Sequence, residues 1–199
     1  MSALTSVIGD GSISGSPALP NRAVSVLHGT GDSGGTFTET RYPGTLTNDS
    51  SVGTTAWSNP GNAGADDGSS ATCLALVDSQ YLQGTNFGFS IPGGATINGI
   101  ELELERRSQS SLLTVADMSI VLRKSDGTYA AENKATPGNW PTTFAIASYG
   151  SSSDLWGETW TASDINDIDF GAAVQHQQTQ EAGGGGLIDF MRVSVTYTI

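Results

Sequence analysis

The chain has 199 residues, a length that fits one β-sandwich or barrel, or one domain plus an arm. Apolar residues make up 37%, below the usual range for a compact domain, but the deficit lies in the first third, so the rest can still bury a core. Acidic residues outnumber basic ones by 20 to 8, giving a net charge of −12. Surfaces that bind DNA, RNA or anionic membranes need clustered Lys and Arg, so we expect no nucleic acid and no membrane as partner. The acidity instead suits a basic protein or a cation.

The sequence also argues against a secretory signal, a membrane span and a site built from several cysteines. Residues 1–4 begin no secretory signal, and no apolar run approaches the roughly 20 residues of a membrane span. We therefore expect synthesis in the cytosol. The single cysteine, Cys73, excludes an internal disulfide and a cysteine-based zinc site, and its apolar neighbours predict a small buried core residue.

The chain divides into two regions by composition. Residues 1–50 are rich in Gly, Ser and Thr and poor in large apolar side chains, so they bury too little surface to offset the entropy of ordering. We predict an extended N-terminal arm over 1–50, which orders against a partner. Residues 51–199 are predicted to form the folded domain.

Short β-like runs separated by turn residues recur along the second region. The predicted strands cover 71–76, 87–91, 97–107, 113–124, 144–147, 156–160, 170–176 and 187–199. In 97–107, aliphatic residues alternate with Glu101, Glu103 and Glu105, which predicts a solvated carboxylate face that discourages edge pairing. The strand 113–124 is predicted to pair with it across a turn at 108–111.

Alternation also assigns faces within two of these strands. In 113–124 it places Met118, Ile120 and Leu122 together on one face. In 187–199 it places one set of side chains on the core face: Met191, Val193, Val195, Tyr197 and Ile199. The Ser-Asp-Gly sequence at 125–127 predicts a tight turn.

One helix is predicted, because Thr161 and Asp164 have the spacing of a capping box. It must be brief, since Phe170 and Gly171 follow soon after. Short strands with half-buried alternation and long Gly-rich loops indicate an all-β protein, an antiparallel β-sandwich of jelly-roll-like form with an extended N-terminal arm.

Two sequences look catalytic without their required context. The Gly-Asp-Ser-Gly-Gly sequence at 31–35 is similar to the nucleophile loop of serine proteases, but only His28 precedes Ser33 as a base. The Gly run at 183–186 matches neither phosphate-binding pattern. We therefore assign no catalytic residue, expect no enzyme activity, and expect no cofactor.

Acidic and aromatic clusters leave alternatives open. Asp164, Asp167 and Asp169, together with Asp66 and Asp67, are a candidate calcium cluster, but their spacing matches no EF-hand loop and we assign no metal ligand. His176 is expected to be a polar loop residue. The large aromatic residues suit either a sugar-stacking platform or the core and subunit interfaces, and core or interface use is favoured: Trp57, Trp140, Trp156, Trp160, Tyr81, Tyr129 and Tyr149.

Three sequence phrases carry a resemblance that covers roughly residues 54–199. They are Trp-Ser-Asn-Pro-Gly-Asn-Ala at 57–63, Phe-Gly-Phe-Ser-Ile-Pro at 87–92 with Ala-Thr-Ile-Asn-Gly-Ile at 95–100, and Leu-Trp-Gly-Glu-Thr-Trp-Thr at 155–161 with Asp-Ile-Asn-Asp at 164–167. Together they resemble small β-sandwich virion proteins of tailed bacteriophages, which include head decoration (cement) proteins and tail-associated proteins. The resemblance brings no catalytic residues.

The resemblance implies a non-enzymatic structural role in a virion, on the capsid surface, after synthesis in the host cytoplasm. Its implied partners are the major capsid protein and copies of the chain itself, as a homo-oligomer with a trimer as the first expectation. The alternative is a tail or fibre protein that binds host-surface glycans through exposed aromatic residues.

Overall fold

The computed structural model describes residues 34–74, 78–112, 114–178 and 184–199. Within these residues no helix has the length and apolar character needed to cross a membrane. The first sheet contains, in spatial order, β1 (Thr36–Arg41), β9 (Gly186–Thr198), β5 (Thr96–Ser108) and β7 (Ala145–Gly150), with β3 (Ala71–Cys73) also paired to β9. The second contains β2 (Thr45–Asp49), β4 (Tyr81–Thr85), β8 (Gly171–Gln178) and β6 (Val115–Arg123). A 3-10 turn covers Pro60–Ala63, and the helix α1 covers Ala162–Asn166.

Consecutive strands alternate between the two sheets along the whole described chain, and all strand pairs are antiparallel. The predicted antiparallel β-sandwich is therefore confirmed. The predicted pairing of β5 with β6 is wrong, because β5 lies between β9 and β7 while β6 pairs with β8. A local turn sequence at 108–111 does not reveal that the chain crosses to the other sheet there.

The main core lies between the sheets, where their inward side chains meet. Leu102 and Leu104 of β5 and Val193 and Val195 of β9 are fully buried, as the alternation predicts. Ile199 is the exception at 47% exposed, because it follows the last residue of β9. Replacing a buried leucine by alanine lowers the free energy of unfolding by roughly 2–5 kcal/mol in a typical core.

Residues 36–49 differ from the prediction of an arm over 1–50, because β1 and β2 are edge strands of the two sheets. Their cross-strand contacts explain how a Thr-rich segment is ordered. The hydroxyl of Thr38 lies 3.0 Å from that of Thr196, and the Phe37 ring stacks on Tyr197 at 5.7 Å. Residues 1–33 of the predicted arm, with His28 and Ser33, lie outside the described residues.

Two predicted strands are loops. In 87–91 the side chains Phe87, Phe89 and Ile91 are buried, but the Asn166 side chain, and not a neighbouring strand, bonds both the N–H and the C=O of Ile91, at 2.8 Å each. The segment 156–160 is a turn, since Trp156 has a left-handed φ of 58°. Its indole N–H donates to the Ile100 carbonyl at 2.8 Å.

The capping box predicted for α1 is confirmed. Thr161 is the N-cap, its hydroxyl accepts from the Asp164 N–H, and the Asp164 carboxylate accepts in return from the Thr161 N–H. The turn at 125–127 is also confirmed, with Gly127 at a left-handed φ of 88°. Both motifs can be predicted from the sequence because their hydrogen bonds join residues that are only a few positions apart.

Candidate functional site

The outer edge of β7 is open and apolar. β7 ends the first sheet, and within the described residues it pairs only with β5. The segment 141–150 contains no charged residue. Ile146 is 53% exposed and Phe144 is 36% exposed, so the edge offers apolar side chains as well as unpaired main-chain groups. An edge of this kind is suited to pairing with a strand from another chain.

The other sheet edges are charged or partly covered. β1 carries Glu39 and Arg41, which form an ion pair. On β6, the bridges from Ala116 to Asn139 and from Arg123 to Tyr129 cover part of the outer side. Charges and covering segments are the usual protection of an edge strand against pairing. β7 itself carries no charged residue and no covering bridge among the described residues, although the Arg107 guanidinium of β5 lies 5.0 Å from the centre of the Phe144 ring. This distinguishes β7 as the candidate interaction edge.

A buried polar centre supports β7 from behind. The Asp117 carboxylate accepts hydrogen bonds from the Trp140 indole N–H at 2.8 Å and from the Tyr149 hydroxyl at 3.0 Å. It also accepts from the N–H and hydroxyl of Thr136, at 3.1 and 2.9 Å, and lies 3.6 Å from the Arg106 guanidinium. Because Asp117 is on β6 and Tyr149 is on β7, this centre joins the two sheets.

The centre also has characteristic electrostatics. The Arg106 guanidinium carbon lies 4.9 Å from the centre of the Trp140 ring, a cation–π distance. Burial, followed by the negative charge of Asp117, raises the pKa of Tyr149. Tyr149 therefore remains a neutral hydrogen-bond donor at physiological pH. Its hydrogen bond to Asp117 holds β7 in position.

A β-bulge at Met118 explains why the sequence did not reveal this centre. The ladder between β6 and β8 skips Met118, since Asp117 pairs with His176 and Ser119 pairs with Gln175. The extra residue reverses the facing of side chains along the strand. Met118, predicted to face inward with Ile120 and Leu122, is 38% exposed, and Asp117 faces inward instead. The available signal was a carboxylate inside a largely apolar strand.

The structure does not bring the candidate calcium ligands Asp164, Asp167 and Asp169 together with Asp66 and Asp67. Asp164 caps α1, the Asp167 carboxylate accepts the Asp169 N–H at 2.8 Å, and Asp169 pairs with Arg123 at 3.7 Å. Asp66 lies instead against two acidic residues of the first sheet, Glu105 and Asp189.

The row of glutamates on β5 is not on a sheet edge, because β9 and β7 flank β5. Glu101, Glu103 and Glu105 are each partly buried, and this differs from the predicted solvated face. Glu103 accepts from Arg192 of the neighbouring strand at 2.7 Å. This is the cross-strand pairing of opposite charges expected in the middle of a sheet.

The aromatic residues lie in the core rather than on a platform. The four tryptophans are between 0% and 6% exposed, and Tyr81 and Tyr149 are also buried. Tyr129 is partly buried, and its hydroxyl donates to Asp49 at 2.6 Å. Of the two favoured uses, core or interface, the tryptophans have the first, and no described tryptophan is able to stack on a sugar from solution.

His176 and Cys73 both lie in the interior. Cys73 is fully buried, as predicted. His176 was expected in a polar loop, but it is a fully buried residue of β8, edge-on to the rings of Trp57 and Trp140 at 5.2 and 5.5 Å. Burial lowers the pKa of His176 to about 4, against smaller opposing contributions from nearby backbone groups and Asp117. The ring is therefore neutral at physiological pH.

Comparison with known proteins gives no assignment for this site. No protein-family model matches the chain, and no curated protein is significantly similar to it.

Proposed function

We propose that the protein is a non-enzymatic structural protein of a tailed-phage virion, most specifically a head decoration or cement protein. The observation that carries the proposal is the open, uncharged edge of β7, with Ile146 and Phe144 exposed. The resemblance of residues 54–199 to small virion sandwich proteins supports the same role. Its partners under this proposal are the major capsid protein and further copies of the chain.

The edge supplies a physical mechanism for lattice binding. A strand from a neighbouring subunit that aligns with β7 gains main-chain hydrogen bonds, while the apolar side chains at 144 and 146 add buried surface. Copies arranged around a symmetry axis add avidity. Because the protein binds the assembled shell and not its free subunits, its binding opposes disassembly by mass action.

A charge placed on the edge tests this mechanism. Ile146→Lys is expected to weaken binding to phage heads by about tenfold or more, since a lysine on an edge strand opposes pairing. The thermal unfolding midpoint should stay within about 2 °C of the wild type, because Ile146 is half-exposed. Co-sedimentation with heads that lack the protein measures the binding.

Ile168→Lys is the matched control, because Ile168 is 65% exposed and lies outside the edge. It should bind heads as the wild type does. Equal binding by Ile146→Lys and the wild type would contradict a role for the β7 edge.

A truncation tests whether the N-terminal segment contributes to head binding, as the proposal requires. Deleting residues 1–33 stops before β1, so we expect a folded domain that no longer coats heads. Deleting 1–50 removes β1 and β2, and we expect loss of the cooperative fold. Circular dichroism reports the fold and co-sedimentation reports the coating. Normal coating by the 1–33 deletion would show that the sandwich alone binds the shell.

The tail-associated alternative receives no specific support from the described aromatic residues. Its predicted glycan site relied on exposed tryptophans and tyrosines, but Trp57 and Trp156 are 2% and 0% exposed, and Tyr81 and Tyr149 are also buried. Imaging of complete particles distinguishes the two proposals, because it shows whether the protein lies on the head or on the tail.

A further inference from the structure

A second β-bulge lies on the outer face of the first sheet, at Asp189. In the ladder between β5 and β9, Glu105 pairs with Phe190 and Arg106 pairs with Ile188, so Asp189 is the extra residue. A bulge re-aims the side chain that it carries. Here it places the Asp189 carboxylate beside Glu105, although regular alternation would point residues 188 and 190 to one face and residue 189 to the other.

A loop covers this bulge and brings in a third carboxylate. Gly64 bridges to Phe190, and the Gly68 N–H donates to Asp189 Oδ2 at 3.4 Å. Asp66 of the same loop lies with Glu105 and Asp189 so that one carboxylate oxygen from each lies within 4.8 Å of the others. Three separate segments of the chain therefore converge on one point.

The Asp189 side chain has an unused oxygen there. Asp189 is only 2% exposed, and its Oδ1 makes no hydrogen bond to the described residues. A buried carboxylate oxygen without a partner is costly, and in a native protein it indicates a missing ligand or donor. This observation concerns solvation and hydrogen bonding, and it is independent of the clustering of the acids.

The local charge is negative and uncompensated. Burial raises the pKa of both Glu105 and Asp189. The contact between the two side chains raises the pKa of Glu105 further and partly lowers that of Asp189, while the charge of Asp66 raises both and that of Asp67 raises the pKa of Asp189. Among the described basic residues, Arg192 pairs with Glu103 and Arg106 with Asp117, while Arg107 lies over the Phe144 ring. No described Lys or Arg forms an ion pair with Asp66, Glu105 or Asp189.

We propose that Asp66, Glu105 and Asp189 bind a calcium ion that ties the 64–68 loop to the bulge of β9. The three oxygens lie within 4.8 Å of one another, a spacing that the ligands of one calcium ion can have when each lies about 2.4 Å from it. Asp66 is exposed, which leaves the solvent side open for the water molecules that complete a coordination of six to eight. Magnesium is expected to bind less tightly, because it requires near-octahedral geometry and gives up its water ligands reluctantly.

The test compares the chelator-treated protein with and without added calcium chloride. We expect calcium to raise the thermal unfolding midpoint by about 5 °C at a concentration near 100 times Kd. Isothermal titration with calcium should show one site per chain. Magnesium at the same concentration should give less than half of the shift.

Three variants locate the site. Asp189→Asn should abolish the calcium-dependent shift, and Asp66→Asn, which changes an exposed loop residue, should weaken calcium binding at least fivefold. Glu101→Gln is the matched control on the same face of β5, and it should respond as the wild type does. An unchanged midpoint in calcium for the wild type, or a full response in Asp66→Asn and Asp189→Asn, would overturn the proposal.

Discussion

Asp117→Ala is expected to lower the free energy of unfolding by about 4 kcal/mol. The substitution leaves the Arg106 charge buried without its carboxylate, and it removes the acceptor of the Trp140 indole N–H and of the Tyr149 hydroxyl. Removing one member of a buried charged network is costly because the remaining groups cannot return to water. Urea unfolding monitored by tryptophan fluorescence measures the change.

A double-mutant cycle identifies the reason for the loss. In an Arg106→Leu background no buried charge is stranded, so Asp117→Ala should cost at least 1 kcal/mol less than in the wild type, on the order of typical coupling energies. Glu101→Ala, a partly buried acid on β5 outside this centre, should change stability by roughly 0.5 kcal/mol or less. A cost below about 1 kcal/mol for Asp117→Ala would contradict the supporting role of the centre.

Acid is expected to destabilise the protein through His176. The unfolded histidine binds a proton below a pH of about 6.5, whereas the folded one, with a pKa of about 4, stays neutral. The unfolded state therefore binds more protons between these values, and stability falls as the pH is lowered through this window. The full contribution is about 3 kcal/mol, from a shift of 6.5 to about 4 at roughly 1.4 kcal/mol per unit.

The difference between the wild type and His176→Leu isolates this contribution. Glu105 and Asp189 have raised pKa values, so their own contribution to stability increases as the pH falls, opposite in sign to that of His176. Subtracting the two stability curves removes the carboxylates from the comparison. The wild type should lose about 3 kcal/mol more than the variant between pH 7.5 and pH 4.

A direct titration keeps this prediction testable if the variant folds poorly. The chain has two histidines, and His28→Gln leaves the resonance of His176 alone. Its proton chemical shift in the folded protein should not move between pH 7.5 and pH 5. A titration midpoint near 6.5 would contradict the buried, neutral ring.

The sequence predicts the class of fold and several strands because alternation is a local signal. β5 and β9 extend over 13 residues each, and their aliphatic residues alternate clearly enough to identify the buried face. The capping box of α1 is equally local. The pairing of strands is not a local signal, because the chain crosses to the opposite sheet after each strand. Each strand therefore pairs with strands that are far away in the sequence.

The bulges at Met118 and Asp189 are among the features that periodicity does not predict, and they create the acidic features of the fold. Each adds one residue to a strand, which reverses the facing of the side chains beyond it. Periodicity alone therefore gave Met118 an inward position and gave no role to Asp117. A charged residue between apolar neighbours, as in Ile188-Asp189-Phe190, is the signal that could have indicated a bulge.

The Thr-rich strands β1 and β2 show a second limit of composition. A count of large apolar side chains assigns residues 36–49 to an arm, but edge strands need few such residues when their hydroxyls pair across the ladder. β1 makes its main-chain hydrogen bonds and one aromatic contact, Phe37 on Tyr197, with β9, which lies far away in sequence, while β2 pairs with β4. The count of apolar side chains indicates how much surface a segment can bury, but it does not indicate main-chain hydrogen bonds or contacts between hydroxyl groups.

Cryo-electron microscopy of phage heads tests the central claim most directly. Heads that lack the protein would be mixed with the purified chain and imaged at a resolution that separates strands. The proposed function predicts regular density on the shell, with the edge of β7 (Ala145–Gly150) against a neighbouring subunit. Bare shells, or decorated shells in which β7 faces solvent, would contradict it.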